Sequence, residues 1–104
     1  MADYRVDVYR NSDIDYILMG VPSGHRHLRL VIRAGDRYIV FQEATVAAIV
    51  RAYIGIKAHP LRRAVKLVRS RLSNRKDGYA EYQLIEESVA EQDIISELDN
   101  ILGR

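Results

Sequence analysis

Apolar and polar residues alternate strictly from Tyr4 to Tyr9. This puts Tyr4, Val6 and Val8 on one face and Arg5, Asp7 and Tyr9 on the other, the period-two pattern of a half-buried strand. Asn11, Ser12 and Asp13 supply turn chemistry before a second run, Tyr16 to Met19, which Gly20 and the Pro22-Ser23-Gly24 loop close. The two runs predict a hairpin. His27 to Arg33 and Arg37 to Phe41 flank Ala34-Gly35-Asp36, where glycine can take the positive φ of a tight turn, and they predict a third and a fourth strand.

From Gln42 to Lys57 the period changes to that of a helix. Val46, Ala47, Val50, Tyr53 and Ile54 recur at spacings of three and four, and further apolar residues fill much of the circumference, so a mostly buried helix is expected. Pro60 prevents its smooth continuation. Residues 60–74 admit two readings. As a helix, the preferred reading, Leu61, Ala64, Val65, Val68 and Leu72 form one stripe, with Pro60 at the first helical position. As a strand, Val65 and Leu67 alternate with Lys66, and residues 74–78 become a hairpin loop. Tyr79 to Glu86 predicts the last strand. Ser88, three residues before Glu91, has the capping-box spacing for a terminal helix lined by Ile94, Ile95, Leu98, Ile101 and Leu102 and ended by Gly103.

The expected fold is therefore α+β: a mostly antiparallel sheet of four to six strands with two or three helices. One buried helix packs on the sheet and an amphipathic helix lies at the C-terminal end, in a single domain over residues 1–104. Cysteine is absent, which excludes disulfides, a cysteine nucleophile and thiolate metal sites. No apolar run approaches the roughly 18 residues of a membrane span. The first residues lack the basic-then-apolar order of a signal peptide, so a soluble cytoplasmic protein is expected. Arginine outnumbers lysine thirteen to three, and Cys and Trp are missing, which fits a heat-stable, thermophilic composition.

Charge changes this picture most through its distribution. Residues 1–58 carry a net +2, 59–78 a net +6 and 79–104 a net −6. Arg62, Arg63, Lys66, Arg69, Arg71, Arg75 and Lys76 fall within fifteen residues that hold no acid. Such a cluster can neutralise successive phosphates of DNA or RNA and release counterions, with exposed tyrosines as platforms for unpaired bases. The competing use of the same cations is pairing with Glu81, Glu86, Glu87, Glu91, Glu97 and Asp99, within the fold or across a homodimer. The terminal helix, apolar on one stripe and acidic outside, is a second candidate for self-association.

Other chemistry is thin. His25 and His27 would share a strand face, a geometry that can seed a metal site, yet no third ligand is evident and no metal or cofactor is expected. Asp13 and Asp15 invite comparison with catalytic carboxylate pairs, but Asp13 is accounted for by the turn. Val21-Pro22-Ser23-Gly24-His25 matches no nucleophile elbow, and no glycine-rich phosphate loop opens the helix. A helix-turn-helix across Pro60 lacks room for its turn. The leading expectation is a small non-enzymatic nucleic-acid-binding protein of low sequence specificity. The alternative is a homo-oligomeric assembly subunit whose basic segment meets its own acidic C-terminal region or a partner protein.

Overall fold

The structure, a computed structural model, describes residues 4–72 and 81–103. Among them are strands β1 (Tyr16–Gly20), β2 (Arg29–Ala34) and β3 (Arg37–Gln42), helix α1 (Glu43–Ala58), strands β4 (Leu67–Arg71) and β5 (Tyr82–Glu86), and helix α2 (Glu91–Ile101). The class is α+β, as expected, but the strands divide into two antiparallel sheets, one ordered β1-β2-β3 and one of β4 and β5.

The β2–β3 hairpin forms for a local reason. Ala34 pairs with Arg37 across a two-residue loop, and Gly35 adopts φ +61°, the positive value a type II′ turn requires at its first central position. Asp15 fixes β1 to this turn, its amide donating to the Arg33 carbonyl at 2.8 Å and its carboxylate accepting from the Gly35 amide at 3.0 Å. β1 thus pairs with β2, in the register Ile17 with Ile32 and Met19 with Leu30.

The strand expected at Tyr4–Tyr9 does not form. Tyr4 to Arg10 is irregular and exposed, because alternation defines two faces without supplying a neighbour to complete the backbone hydrogen bonds. Asn11–Asp13 is instead a short 3-10 turn in which the Asp13 carboxylate accepts from the Arg10 amide at 2.9 Å.

α1 matches its expected span within one residue, and His59 is extended before Pro60, as the proline ring demands of the residue before it. α1 lies against β2, β3 and β5. The half-buried Ile32, Ile39 and Phe41 mark the sheet face that it covers, whereas Tyr38 and Val40 on the other face are exposed. Its expected burial is corrected. Ala48 is its one buried residue, since a sheet on one side cannot cover a helix that is apolar around most of its circumference.

The preferred helical reading of 61–72 is likewise corrected. Residues 62–66 are irregular and Leu67–Arg71 is a strand, with Val68 paired to Ile85 and Arg69 to Leu84. The helical stripe is a weak local preference, and pairing with β5 overrides it. The hairpin loop anticipated at 74–78 lies outside the described residues. Ser88 does not cap α2, which starts at Glu91 after an extended Ala90. The Glu91 carboxylate is engaged by the Arg63 amide at 3.3 Å instead of reaching back in a capping box. Gly103, at φ +79°, follows the helix end as expected.

The buried apolar core among the described residues is small: Ala34, Ala48, Ala64 and Ile94. The chain exposes 9086 Å², where a folded monomer of its mass exposes about 6,000 Å². Its radius of gyration is 16.3 Å against about 13 Å for a compact domain of this length. No helix among the described residues is long and apolar enough to cross a membrane.

Candidate functional site

The basic segment begins with Arg62 and Arg63 in the irregular stretch after α1, passes Lys66 and enters β4, where alternation puts Arg69 and Arg71 on one face. Arg75 and Lys76 lie outside the described residues. The Arg62 guanidinium donates to Glu86 at the end of β5. The Lys66 ammonium donates to Glu97 of α2 at 3.0 Å, and Arg71 Nη2 to Glu81 just before β5 at 3.4 Å. Arg69 lies over the Tyr82 ring, 5.1 Å from its centroid, and Arg63 engages Glu91 through its backbone. Three of the five described cations are thus held by carboxylates of the acidic C-terminal region, whereas the guanidinium groups of Arg63 and Arg69 have no carboxylate partner among the described residues.

The hydrogen bond to Glu97, then its charge, holds the Lys66 ammonium above the usual lysine range, and Glu87 adds to the effect. A raised lysine pKa contributes stability in full below the unfolded value, and the contribution disappears as pH climbs through the folded value. Lys66 therefore keeps its charge throughout the neutral range and gives up this contribution only in strong alkali. Both side chains remain well exposed, so salt screens the pair. Glu97→Gln is expected to lower the Lys66 pKa by NMR titration while barely moving the denaturation midpoint in high salt.

The remaining polar candidates have structural employment. Asp13 and Asp15 complete the two backbone turns described above. Glu43, in the first turn of α1, accepts from the Leu28 amide at 2.7 Å and lies 3.7 Å from His27 Nδ1, tying the helix start to the chain entering β2. The His25 amide closes the turn at Pro22–Gly24 by donating to the Pro22 carbonyl at 3.1 Å. No group of three or more metal-ligating side chains occurs among the described residues.

Two surfaces that sequence reasoning did not isolate emerge from register and packing. The first is the sheet face away from α1. Pairing aligns Tyr16, Arg33 and Tyr38 in one row, Leu18, Val31 and Val40 in the next, and Gly20, Arg29 and Gln42 in a third. The two tyrosine hydroxyls are 2.9 Å apart, Arg33 Nη1 donates to the Tyr38 hydroxyl at 2.9 Å, and the Arg33 guanidinium carbon lies 4.9 Å from the Tyr38 ring centroid. The shared hydrogen bond holds Tyr16 above the ordinary tyrosine range. The bonds from Tyr16 and then Arg33 hold Tyr38 below it. In an NMR titration Tyr38 is expected to lose its proton at lower pH than Tyr16, and Arg33→Ala to move Tyr38 upward; the reverse order would contradict this geometry. Counting both strands outward from Gly35 pairs Arg33 with Tyr38, but placing Tyr16 beside them requires the β1 register, which no local motif encodes.

The second is the outward stripe of α1. Ile49, Val50, Tyr53 and Ile54 are 49%, 47%, 63% and 56% exposed, and their i, i+4 spacing aligns them in two adjacent ridges. A groove of about 580 Å³ separates the first half of α1 from the second sheet and is lined in part by Gln42, Thr45, Arg51, Arg69, Tyr82 and Gln83. No protein-family model, curated protein or solved structure matches the chain.

Proposed function

We propose that the protein is a non-enzymatic assembly subunit that pairs with a second copy of itself through the outward stripe of α1, with Arg62, Lys66 and Arg71 of its basic segment engaged by its own acidic C-terminal region. The observation that carries this reading is the exposure of Ile49, Val50, Tyr53 and Ile54 as one continuous apolar stripe on a regular helix. Soluble monomers rarely leave such a patch to water, and a twofold contact covers the same patch on both copies at once. Ridges formed by i, i+4 residues pack readily against their own kind at a crossing angle near −50°. The chain exposes about 3,000 Å² more than a monomer of its mass. Burial of about 1,000–2,500 Å² on each subunit is typical of obligate dimers, so a self-contact is large enough to absorb much of that excess.

Binding of a DNA or RNA backbone by Arg62, Arg63, Lys66, Arg69, Arg71, Arg75 and Lys76 needs cations turned to water and unclaimed. The ion pairs of Arg62, Lys66 and Arg71 leave that reading two of its five described residues. Light scattering tests the preferred reading. Its expected result is a mass twice the 11.9 kDa of the chain, persisting from low to high salt because the contact is apolar. A mass of one chain at all concentrations would overturn it.

A further inference from the structure

We infer that the sheet face carrying Tyr16, Arg33 and Tyr38 binds single-stranded nucleic acid. This site is separate from the basic segment and from the α1 stripe. Nine strand positions point outward on this face, and none of them is acidic. Tyr16 and Tyr38 are exposed, and Leu18, Val31 and Val40 form an apolar row beside them.

Both arginines of the face are free of carboxylates among the described residues. Arg29 uses Nη1 on the His27 and Leu28 carbonyls. Arg33 uses Nε on the Gly35 carbonyl and Nη1 on the Tyr38 hydroxyl. Each guanidinium has five N–H donors, so both keep donors for a further acceptor, and backbone contacts hold both in place beforehand. They stand four residues apart on β2, about 13 Å along the strand, one on each side of the apolar row.

This interleaving of rings, apolar surface and unclaimed cations fits a ligand that is anionic along its length and carries flat apolar faces. Unpaired nucleotides have both properties. Their bases stack on tyrosine and their phosphates take arginine N–H groups. In a duplex the base faces are stacked on one another, and a flat three-stranded face offers nothing to enter a groove. A protein partner for the same face would have to be acidic and apolar together, and it is one of the outcomes the test separates.

The experiment is fluorescence anisotropy with labelled oligothymidylate, oligouridylate and a duplex of equal length, over a range of salt, on the full chain. The single strands are expected to bind and the duplex to bind much more weakly. Tyr38→Ala is expected to weaken single-strand binding by about 5- to 150-fold, the range for loss of one base–aromatic stack. Tyr38→Phe keeps the ring and should keep most of the affinity. Arg29→Ala with Arg33→Ala is expected to flatten the log–log salt slope by about 1.4, two single-strand phosphate contacts. Arg63→Ala, in the basic segment, should leave it unchanged.

Three results would overturn the inference: no binding of single strands at low salt, equal affinity for duplex, or binding that Arg63→Ala weakens and the sheet-face variants do not. If Tyr38→Ala lowers the oligomer mass instead of the affinity, the face belongs to a protein interface and the inference falls. Circular dichroism of each variant separates loss of the site from loss of the fold.

Discussion

Replacing Ile49 and Tyr53 together by glutamate yields a monomer. Both side chains belong to the exposed α1 stripe, and in the proposed dimer each is buried against its copy across the twofold axis. A charge forced into the centre of an apolar interface loses the burial and adds an unpaired ion. Central apolar anchors of interfaces are commonly worth about 2 kcal/mol or more each, so the dissociation constant should rise by at least about a hundredfold. In a single chain the same positions face water and glutamate is a good helix former, so the helix itself tolerates the change. The signature is a mass of one chain with α1 intact, and a melting temperature that no longer depends on protein concentration. Val6→Glu, an equally apolar position in the irregular segment before β1, should leave the mass unchanged. A double variant that still doubles its mass would remove α1 from the interface.

Ile94→Ala releases α2. Ile94 is the one large side chain in the buried core of the described residues; Ala34, Ala48 and Ala64 complete that core. Among the described residues the polar ties of α2 are Lys66 on Glu97 and the Arg63 amide on Glu91, contacts at the surface that contribute little alone. Truncating a buried isoleucine costs about 2–5 kcal/mol. An isolated eleven-residue helix is not stable in water, so undocked α2 melts. The expected reading is a loss of about two-fifths of the helical circular dichroism, α2 being 11 of the 27 residues in α1 and α2. Amide protection in the β1-β2-β3 sheet is retained. Leu98→Ala, at a position 47% exposed, should change neither signal appreciably. If Ile94→Ala abolishes the sheet protection too, α2 is part of one cooperative unit and not an appended one.

The parts of this fold that were legible in advance are those whose cause is local. Gly35 dictates the β2–β3 turn by its own backbone freedom, and the period of residues 42–57 defines α1 without reference to anything it touches. The misread parts are those in which a distant partner decides. Tyr4 to Tyr9 has the pattern of a strand and no neighbour, whereas residues 61–72 have the stripe of a helix and a neighbour in β5 that makes 67–71 a strand. Ser88 has the spacing of a cap, yet Glu91 is taken by the Arg63 amide.

The candidate sites follow the same division. The +6 and −6 segments announce that charge can meet charge, but only the approach of Glu86, Glu97 and Glu81 identifies Arg62, Lys66 and Arg71 as the cations engaged. The row of Tyr16, Arg33 and Tyr38 is spread over 23 residues and becomes one surface through strand register alone.

Because the chain has no cysteine, a single one can report on self-contact without ambiguity. Ile49→Cys, Val50→Cys, Tyr53→Cys and Ile54→Cys, each alone, are oxidised and resolved without reductant. Contact about a twofold axis across α1 brings at least one of these positions within the roughly 4.4–6.8 Å between Cα atoms that a disulfide spans. Rapid covalent dimer is expected from that position and none from Ser12→Cys, on the 3-10 turn before β1. Failure of all four to cross-link, or cross-linking at Ser12 as fast as on α1, would contradict it.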